Sequence, residues 1–475
     1  MTGSGFHLDP SYRRPNDGAV ILGGSPLRLF RLSARGRQVA ESLELDRELP
    51  DGHARLTDRL IQAGVIHPRL ASIADHAAAD GEPDSGVDNA SITVVIPSFT
   101  AEPEQLPLYA PTLHRCIVVD DGSPTPLPAR DGFVTIRLDR NRGPAAARNA
   151  GLALVDTPLV AFVDSDVSID DDELRRLAAH FSDATVGLVA PRIRVAQATS
   201  DSPNVVDHTP LHRYELNHSP LDMGPFPARI AAATRVSYVP AAVVLCRTEA
   251  VRAIAGFDEA MRFGEDVDLV WRLAAAGWKC RYEPAVEARH QPRATLRGWI
   301  AQRFHYGTSA APLDRRHPGA VAPLRMSGWS AATWVPVLAG FPLIGVAVAA
   351  LSSVLLVRKL PYVAARESLR LAALGNAFAG RLIAAAITRT WWPLAVVAAV
   401  ASKRARRILL AAVVVPAILD RREHPTSLDP VSATALRVLD DAAYGAGVWA
   451  GAWRERDIGA LLPTFTPWPP RRSTN

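Results

Sequence analysis

Residues 159–166 read LVAFVDSD, so five consecutive apolar residues run directly into two aspartates separated by one serine. A short, wholly apolar run of this kind is typical of a strand that is buried on both faces of a parallel sheet. Ligands of such sheets bind at the carboxyl ends of the strands. The segment therefore predicts an α/β fold with Asp164 and Asp166 at the ligand-binding edge.

Two further apolar runs precede this segment and end in the same way. Ile92–Ile96 is followed by Pro97, and Cys116–Val119 is followed by Asp120 and Asp121. Because helical segments separate the three runs, we expect parallel strands whose carboxyl ends share one edge. Two of the three strands then deliver carboxylates to that edge.

The paired aspartates are candidate metal ligands. Two carboxylates one residue apart can hold a hard divalent cation such as Mn²⁺ or Mg²⁺. That cation could neutralise a diphosphate as it leaves. The sequence therefore predicts that Asp164 and Asp166 bind metal. His290, which ends a strand-like segment, is a further candidate ligand, and a polar loop histidine is the alternative.

Residues 141–151 read NRGPAAARNAG, a Gly-Pro pair that opens a helix of small residues. Close backbone approach and a helix N-terminus favour a nucleotide phosphate or ribose. We expect Gly143 to lie at that N-terminus, with Arg148 and Asn149 pointing back towards the site.

A second acidic segment, residues 264–268, reads GEDVD and opens a helix. Acidic residues in a first helical turn also suit the helix dipole, which is the structural alternative. The chemical interpretation makes Asp266 a general base that deprotonates an attacking hydroxyl. Glu265 beside it is the second catalytic candidate.

Composition and absent motifs exclude several classes of protein. The chain has 475 residues, 48% of them hydrophobic and 21% charged, which indicates two or three folded domains. Three cysteines and no CxxC pair exclude a disulfide framework and a zinc ribbon. The sequence contains no GxGxxG, GxxxxGK[ST], HExxH or GxSxG, so the nicotinamide, Walker-type, zincin and hydrolase interpretations lack their usual anchors.

The N-terminal region predicts a small separate module. Residues 18–24 (GAVILGG) are typical of a strand that ends in a glycine turn, and residues 33–43 and 54–64 of two short amphipathic helices. One strand and two helices are compatible with a winged-helix-like fold. Residues 77–90 are small, acidic and turn-forming, which indicates a linker. No apolar segment typical of a cleavable signal peptide opens the chain.

The C-terminal third predicts association with a membrane. Residues 329–357 carry no charge over 29 positions, enough to span a bilayer with tilt, although Pro336 and Pro342 would kink the helix. Residues 391–402 and 408–419 are apolar runs of 12 each, too short to span alone, and are typical of interfacial segments. A buried helical bundle is the alternative.

Charge is distributed unevenly along the chain. The net charge is +9 from Arg358 onward and −4 before it. Basic residues beside apolar runs suit a membrane surface, with the catalytic domain facing the cytoplasm. No basic stripe with interleaved aromatic residues or zinc finger indicates a nucleic-acid partner. We therefore expect three domains, residues 1–90, 91–325 and 326–475, the last helical and membrane-associated.

Taken together, these motifs resemble family 2 glycosyltransferases, the inverting GT-A class, over about residues 91–310. The resemblance implies a Rossmann-like nucleotide-sugar domain with Asp120 or Asp121 near uracil. It also implies a metal on Asp166, assisted by Asp164, and a base at Asp266. The motifs that carry the resemblance, in the family's order, are VVIPSF (94–99), VVDDGS (118–123), NRGPAAARNAG (141–151), DSD (164–166) and GFDEAMRFGEDVDLVWRL (256–273).

The acceptor region departs from one pattern of the family. Where processive members have QxxRW, this chain has WIAQRF at residues 299–304. The departure argues against synthesis of a long polymer. Trp271, Arg303 and Tyr306 are the candidate acceptor-binding residues.

A narrower resemblance extends over nearly the whole chain. GGSP (23–26), RVSYVPAA (235–242) and YGTSAAP (306–312) resemble glycosyltransferases of actinobacterial mycofactocin systems. This resemblance implies transfer of β-1,4-linked glucose from UDP-glucose to premycofactocin, a peptide-derived redox cofactor. The N-terminal module also resembles winged-helix peptide-recognition domains. A lipid or cell-wall glycan acceptor, and a non-catalytic peptide-binding scaffold, are the alternatives.

Overall fold

The computed structural model describes residues 3–15, 18–69, 92–99, 115–128, 131–196 and 209–466. The chain divides into two compact units, one formed by residues 1–205 and 218–292 and the other by residues 206–217 and 293–475. The linker predicted at residues 77–90 lies outside the described residues. The domain boundaries at residues 90 and 325 stay predictions, and residues 293–325 belong to the second unit.

The N-terminal part of the first unit folds around its own small core. Ser33 caps its first helix by accepting a hydrogen bond from the Gly36 N–H (3.2 Å). The buried side chains include Ile21, Leu43 and Leu60. The predicted strand and both helices are confirmed, whereas the winged-helix identity stays a prediction. The elements are β1 (Phe6–Leu8), which pairs with β4 (Ile66–Pro68), the hairpin β2 (Val20–Gly23) and β3 (Arg28–Arg31), α1 (Ala34–Glu44) and α2 (Ala54–Gln62).

A nine-stranded mixed sheet forms the centre of the first unit. The strand order is β11-β13-β10-β12-β8-β5-β6-β7, with β9 paired to β13. This sheet confirms the predicted α/β class. Its strands are β5 (Ile92–Ser98), β6 (Arg115–Asp120), β7 (Phe133–Arg137), β8 (Leu159–Val163), β9 (Val167–Ser168), β10 (Val186–Val195), β11 (Ala228–Arg229), β12 (Val243–Arg247) and β13 (Lys279–His290).

The predicted parallel strands are confirmed, and the remainder of the sheet is mixed. Strands β7, β6, β5 and β8 are parallel neighbours, as predicted. Strand β12 then runs antiparallel between β8 and β10, and β13 is again parallel to β10. Because β12 is the inserted exception, the carboxyl ends of β5, β6, β8, β10 and β13 all meet at one edge.

Within the described residues, four α-helices of the first unit accompany this sheet. In the last of them, Leu269 and Leu273 are buried while Glu265, Asp266 and Asp268 occupy the first turn. Acidic residues there suit the helix dipole, and they also lie where the helix begins at the sheet edge. The helices are α3 (Pro144–Leu152), α4 (Asp171–Ala178), α6 (Thr248–Ala253) and α7 (Glu265–Ala275).

The second unit is helical. A short parallel pair, β14 (Arg325–Ser327) and β15 (Thr464–Thr466), is its only sheet among the described residues. A π-helical segment, Ala386–Thr390, continues α12. The helices are α5 (Pro210–His218), α8 (Leu296–Thr308), α9 (Ala310–Arg316), α10 (Gly328–Leu338), α11 (Pro342–Lys359), α12 (Ala365–Ala385), α13 (Trp392–Ala401), α14 (Lys403–Glu423) and α15 (Pro430–Glu455).

The single kinked span predicted over residues 329–357 is wrong. The structure divides it into α10 and α11, which are joined at Gly340 in a left-handed conformation (φ 91°). Pro342 lies at the start of α11, where its missing N–H costs nothing, and it cannot continue α10. Pro342 therefore begins a second helix, whereas Pro336 lies inside α10.

Two helices of this unit are long and apolar enough to cross a bilayer. They cover Pro342–Lys359 and Ala365–Thr390, with mean hydropathy 1.7 and 1.5, and only 6% and 17% of them is buried. Leu343 in α11 and Val400 in α13 are each 82% exposed. Exposed apolar helices confirm the predicted apolar C-terminal region and weakly indicate membrane association.

Candidate active site

The candidate site lies at the carboxyl edge of the mixed sheet. Pro97 and Ser98 at the end of β5 stand beside Val119 and Asp120 at the end of β6. Asp164 follows β8 directly, and its N–H donates to the Ala242 carbonyl (2.9 Å). The structure thus brings the predicted carboxylates to one edge, as expected from parallel strands.

Asp120 holds the turn that follows β6. Its carboxylate accepts hydrogen bonds from the Ser123 N–H (2.8 Å) and the Leu127 N–H (3.3 Å), and it pairs with Arg137. Burial raises the pKa of Asp120, but these hydrogen bonds outweigh it and the net pKa lies below its ordinary value. Asp120 is therefore an ionised anchor of the turn.

Asp121 connects this turn to the start of α3. Its two oxygens accept from the N–H groups of Arg142 (2.7 Å) and Gly143 (2.8 Å). The side chain is buried, with 3% of the residue exposed. Charge-assisted bonds of this kind fix the loop that precedes the helix. Asp121 therefore sets the position of the Gly-Pro segment at the helix N-terminus.

Arg148 bridges two carboxylates from different elements. Its guanidinium lies 2.6 Å from Asp164 Oδ1 and 2.8 Å from Glu265 Oε1, and it stacks over the Phe257 ring at 5.2 Å. Only 3% of Arg148 is exposed. Burial opposes its charge, but the two carboxylates raise the pKa of Arg148 above its ordinary value. A fixed, doubly paired cation thus joins β8 to α7.

The pKa values of the two acids that pair with Arg148 are both raised. Burial raises the pKa of Glu265 to about 7, with Asp266 adding to the increase and Arg148 opposing it. Desolvation also raises the pKa of Asp164, with Arg148 opposing and Asp166 adding to the shift. Carboxylates crowded at a sheet edge raise one another's pKa values in this way.

Asp266 lies at the same edge and is half-buried. One carboxylate oxygen accepts from the Val267 N–H (2.8 Å) and the other from the Ala241 N–H (3.2 Å). Two backbone bonds leave lone pairs on both oxygens, so the carboxylate can still accept a proton from a ligand. Among the two acids that open α7, Asp266 is the more accessible, because Glu265 is 6% exposed and paired to Arg148.

Asp166 and His290 place a carboxylate beside an imidazole, close in sequence to Asp164. Strand β9 pairs with the end of β13, and His290 Nε2 lies 3.5 Å from Asp166 Oδ2. The Asp166 side chain is 40% exposed. Within the described ranges no three His, Cys, Asp or Glu side chains are arranged to hold a metal ion. A carboxylate and an imidazole nevertheless fit a divalent ion whose remaining ligands come from a diphosphate and water.

Comparisons with known proteins agree with this geometry. The "Glycosyl transferase family 2" model matches residues 93–239. The pre-mycofactocin glycosyltransferase of Mycobacterium tuberculosis (strain CDC 1551 / Oshkosh) is 40% identical over 97% of this chain and 97% of its own length. The chain belongs to glycosyltransferase family 2. It is a glycosyltransferase.

Other matches cover less of the enzyme or share only low identity with it. The succinoglycan biosynthesis protein ExoO of Rhizobium meliloti is 28% identical over 36% of this chain and 49% of its own. The mannosyltransferase PcManGT from Pyrobaculum calidifontis, solved with GDP-Man and Mn²⁺, matches 81% of this chain and 99% of its own at 16% identity, with a TM-score of 0.41.

Asn149 of the glycosyltransferase is engaged with a neighbouring loop. Its amide donates to the Phe257 carbonyl (2.9 Å) and to Glu259 (3.1 Å), and its carbonyl oxygen accepts from the Phe257 N–H (2.9 Å). The expected orientation towards the site therefore holds for Arg148, whereas Asn149 faces residues 257–259. A direct contact of Asn149 with the donor stays a prediction.

Two of the candidate acceptor residues, Trp271 and Arg303, are engaged by partners within their own units. Trp271, in the first unit, is buried and donates its indole N–H to the Ser237 carbonyl (2.6 Å). Arg303, in the second unit, is 2% exposed and pairs with Glu215 and with Asp440 (3.0 Å). Both interactions are those of core residues, so for Trp271 and Arg303 the structure favours a packing role. Tyr306 is half-buried in α8.

Sequence reasoning missed the residues that hold the acids in place. Arg137, the last residue of the neighbouring strand β7, pairs with Asp120. The Ala241 N–H, 25 residues earlier in the sequence, donates to Asp266. Arg142, which pairs with Glu259 (2.7 Å), links the NRG segment to the loop before α7. An arginine on a strand and a backbone N–H carry no sequence signal of their own, because only the fold gives them their partners.

Proposed function

We propose that this enzyme transfers glucose from UDP-glucose to premycofactocin with inversion, building a β-1,4-linked glucan chain during mycofactocin biosynthesis. Premycofactocin as the acceptor is supported by the 40% identity to the pre-mycofactocin glycosyltransferase over 97% of both chains. Coverage of this extent includes the N-terminal module and the helical unit as well as the sheet. UDP-glucose and the β-1,4 linkage follow from the family resemblance.

Asp266 acts as the general base of the reaction. Its carboxylate takes the proton of the acceptor hydroxyl while that oxygen forms a bond to C1 of glucose. The bond from C1 to the UDP oxygen breaks in the same step, and UDP leaves with the electron pair. Inversion needs one in-line displacement, so one base is enough and no covalent nucleophile is required. The accessible Asp266 at the sheet edge supports this role.

Glu265 supports the base without carrying the proton transfer. It is buried, and its carboxyl is held by Arg148 (2.8 Å). Arg148 in turn holds Asp164 (2.6 Å), so one guanidinium fixes the start of α7 relative to the end of β8. The two catalytic candidates at the start of α7 thus divide into a base, Asp266, and a positioning residue, Glu265.

The donor binds along the carboxyl ends of β5, β6 and β8. Uracil lies beside the turn held by Asp120 and Asp121, next to Pro97, and the diphosphate near Gly143 and the start of α3. Both aspartates accept backbone hydrogen bonds, so they also hold the loops that form this subsite in place. Asn149 and Arg148 complete the donor-binding set.

A divalent cation, Mn²⁺ or Mg²⁺, would be held by Asp166, with Asp164 and His290 beside it. When bound, such an ion supplies positive charge that stabilises the departing diphosphate. Asp166 is the more available of the two aspartates, because Asp164 is paired to Arg148 whereas Asp166 is 40% exposed.

The enzyme acts at the cell membrane, with its catalytic domain facing the cytoplasm where nucleotide sugars are made. The exposed apolar helices α11 and α13 and the basic C-terminal region support this location. The same helices favour the second candidate function, transfer of the sugar to a lipid-linked or cell-wall glycan acceptor.

An incubation of membranes that contain the enzyme tests the proposal. UDP-glucose, Mn²⁺ and premycofactocin are supplied, and products are read by mass spectrometry. A ladder of hexose additions that is absent with Asp266→Asn supports donor, acceptor and base together. If instead a lipid extract caused UDP release and gave a butanol-extractable product, the acceptor would be a lipid and not premycofactocin. The enzyme would still be a glycosyltransferase.

A further inference from the structure

A second cavity lies within the first unit, at the end of the sheet opposite the candidate active site. It has a volume of about 350 Å³. Lys279–Glu283, at the beginning of β13, line it, whereas His290 at the other end of that strand belongs to the catalytic edge. Arg229 and Arg281 of the lining are level with Val189 on β10, whereas His290 is level with Val195, six residues further along, so roughly 20 Å separates the two sites. One small ligand cannot reach both sites.

The N-terminal module supplies one wall of this cavity. Arg28 from β3, Ile61 and Gln62 from α2, and His67 from β4 line it together with residues of the sheet edge. Arg229 connects the two walls, because its guanidinium donates to the Gln62 carbonyl (2.9 Å). The cavity is therefore built by both parts of the first unit.

Two of its cations are not neutralised. Lys279 and Arg281 are paired to Asp183 at 3.0 and 2.7 Å. In contrast, neither Arg28 nor Arg229 has an ion-pair partner in the described part of the chain. Burial, together with the nearby Arg28, lowers the pKa of Arg229. Two guanidiniums that repel each other in a concave site favour an anionic ligand.

A buried polar atom also lacks a partner at this cavity. His180 is 2% exposed, and its Nε2 lies 3.1 Å from Glu283 Oε2. Its other ring nitrogen, Nδ1, is buried and has no hydrogen-bond partner among the described residues. Buried polar nitrogens are nearly always satisfied, so an unmatched one beside a cavity points to a ligand or water there.

The lining is about equally polar and apolar, and its apolar part limits the ligand further. Ile61, Pro68, Pro227, Ala228 and the half-buried Trp278 contribute side chains. Glu283 is the one carboxylate of the lining, and it is already engaged by His180 and by the Ala285 N–H (3.0 Å). A site of this size with a few polar groups and an apolar body is typical of small-molecule sites.

We propose that this cavity is an accessory binding site for an organic anion, a carboxylate or phosphate group carried on an apolar body, recognised by Arg28 and Arg229. The anion neutralises the two guanidiniums and joins the N-terminal module to the sheet edge. The site lies outside the donor and acceptor subsites, and the proposal stands whether or not the proposed acceptor is right.

The test measures binding to the purified full-length protein by isothermal titration calorimetry. The probes are phenyl phosphate and N-acetylphenylalanine, with inorganic phosphate as the anion without an apolar body. Arg28→Gln/Arg229→Gln removes both charges. Arg55→Gln is the matched control, because Arg55 is exposed on α2 and does not line the cavity. Retained UDP binding verifies that each variant folds.

At least one organic anion should bind the wild-type protein, and its affinity should fall about tenfold or more in the double variant and stay within about twofold in Arg55→Gln. A preference for one organic probe identifies the headgroup as carboxylate or phosphate. Unchanged affinity in the double variant, or no binding of either organic probe at about 10 mM, would overturn the proposal. If inorganic phosphate bound as tightly as phenyl phosphate, the part of the proposal that assigns the ligand an apolar body would be wrong.

Discussion

The Arg148 guanidinium lies 2.6 Å from Asp164 Oδ1, so the first aspartate of the DSD segment is neutralised by the protein itself. The same guanidinium reaches the buried Glu265 at 2.8 Å. One side chain of α3 therefore links the carboxylate after β8 to the first turn of α7, where Asp266 follows Glu265. The geometry of the proposed base depends on this bridge.

Replacing Arg148 with lysine should lower kcat by about 100-fold, because an ammonium group on a flexible stem cannot hold both carboxylates in place. An ammonium group can hold only one of the two carboxylates, so the other loses its partner, which should also cost about 3–5 kcal/mol of unfolding free energy. Steady-state glucosyl transfer and thermal unfolding measure the two effects. The control is Arg142→Lys, since Arg142 forms an exposed pair with Glu259 (2.7 Å). Equal losses in both variants would contradict the bridging role.

Asp266→Asn should fold and bind UDP like the wild type and lose transfer by about 100- to 10,000-fold, the usual contribution of a general base. The amide oxygen can still accept one of the two backbone bonds that Asp266 receives. Transfer rates at saturating donor and acceptor provide the measurement. Asp172→Asn, a change of a side chain that is 80% exposed, is the control. If Asp266→Asn were as active as the wild type, Asp266 would not be the general base.

The sequence predicted the positions of the aspartates in this site but not the residues that pair with them. Apolar runs that end in acidic residues place Asp120, Asp164 and Asp166 at one edge, and the structure brings them there. Their partners were not predictable. Arg148 stands 16 residues before Asp164 and 117 before Glu265, and only the topology of the sheet gives it both.

Fold prediction failed where two local rules competed. Residues 329–357 carry no charge, which predicts one long helix, but Gly340 and Pro342 end and restart it. In α12 the prediction failed in the other direction, because a long helix was missed. This candidate span was not predicted because Arg366, Glu367 and other charged residues interrupt its apolar sequence. Charges near the end of a helix interrupt an apolar run in sequence without interrupting the helix.

Gly122→Ala should lower the stability of the enzyme by more than the usual cost of a left-handed alanine, about 1–2 kcal/mol. Gly122 has φ 68°, and an added Cβ would lie 2.5 Å from the carbonyl carbon of Arg140. Gly224→Ala is a matched control with φ 93° and no atom within 4 Å of the added Cβ. Thermal unfolding compares the two variants. Equal shifts would show that backbone conformation, and not the contact with Arg140, sets the requirement for glycine.

Glu265→Gln should flatten the pH dependence of stability. Because the pKa of Glu265 is raised from 4.5 to about 7, the folded state keeps a proton that the unfolded state has released between these values. The wild-type unfolding free energy should therefore fall as pH rises from 4.5 to 7, by at most about 3 kcal/mol from this group, and stay level above. Unfolding temperatures from pH 5 to 8 measure this change.

The glutamine variant should match the wild type near pH 5 and exceed it at pH 8, since glutamine resembles the protonated acid. Glu249→Gln is the control, because the Glu249 side chain is 71% exposed. Parallel pH profiles for wild type and Glu265→Gln would contradict the raised pKa.

The exposed apolar helices allow a test of membrane association that leaves the chain intact. Leu343→Glu in α11 and Val400→Glu in α13 each place a charge on a side chain that is 82% exposed. If these side chains face lipid, each charge should disfavour insertion, by up to the about 2.5–3.5 kcal/mol that a charge costs at the centre of a spanning helix, and protein should move from the carbonate-resistant membrane fraction to the soluble fraction. Leu45→Glu, at an apolar position that is 50% exposed in the N-terminal module, should leave the partitioning unchanged. A wild-type protein in the soluble fraction, or equal partitioning of all three variants with the wild type, would mean that these helices face water or protein instead of lipid.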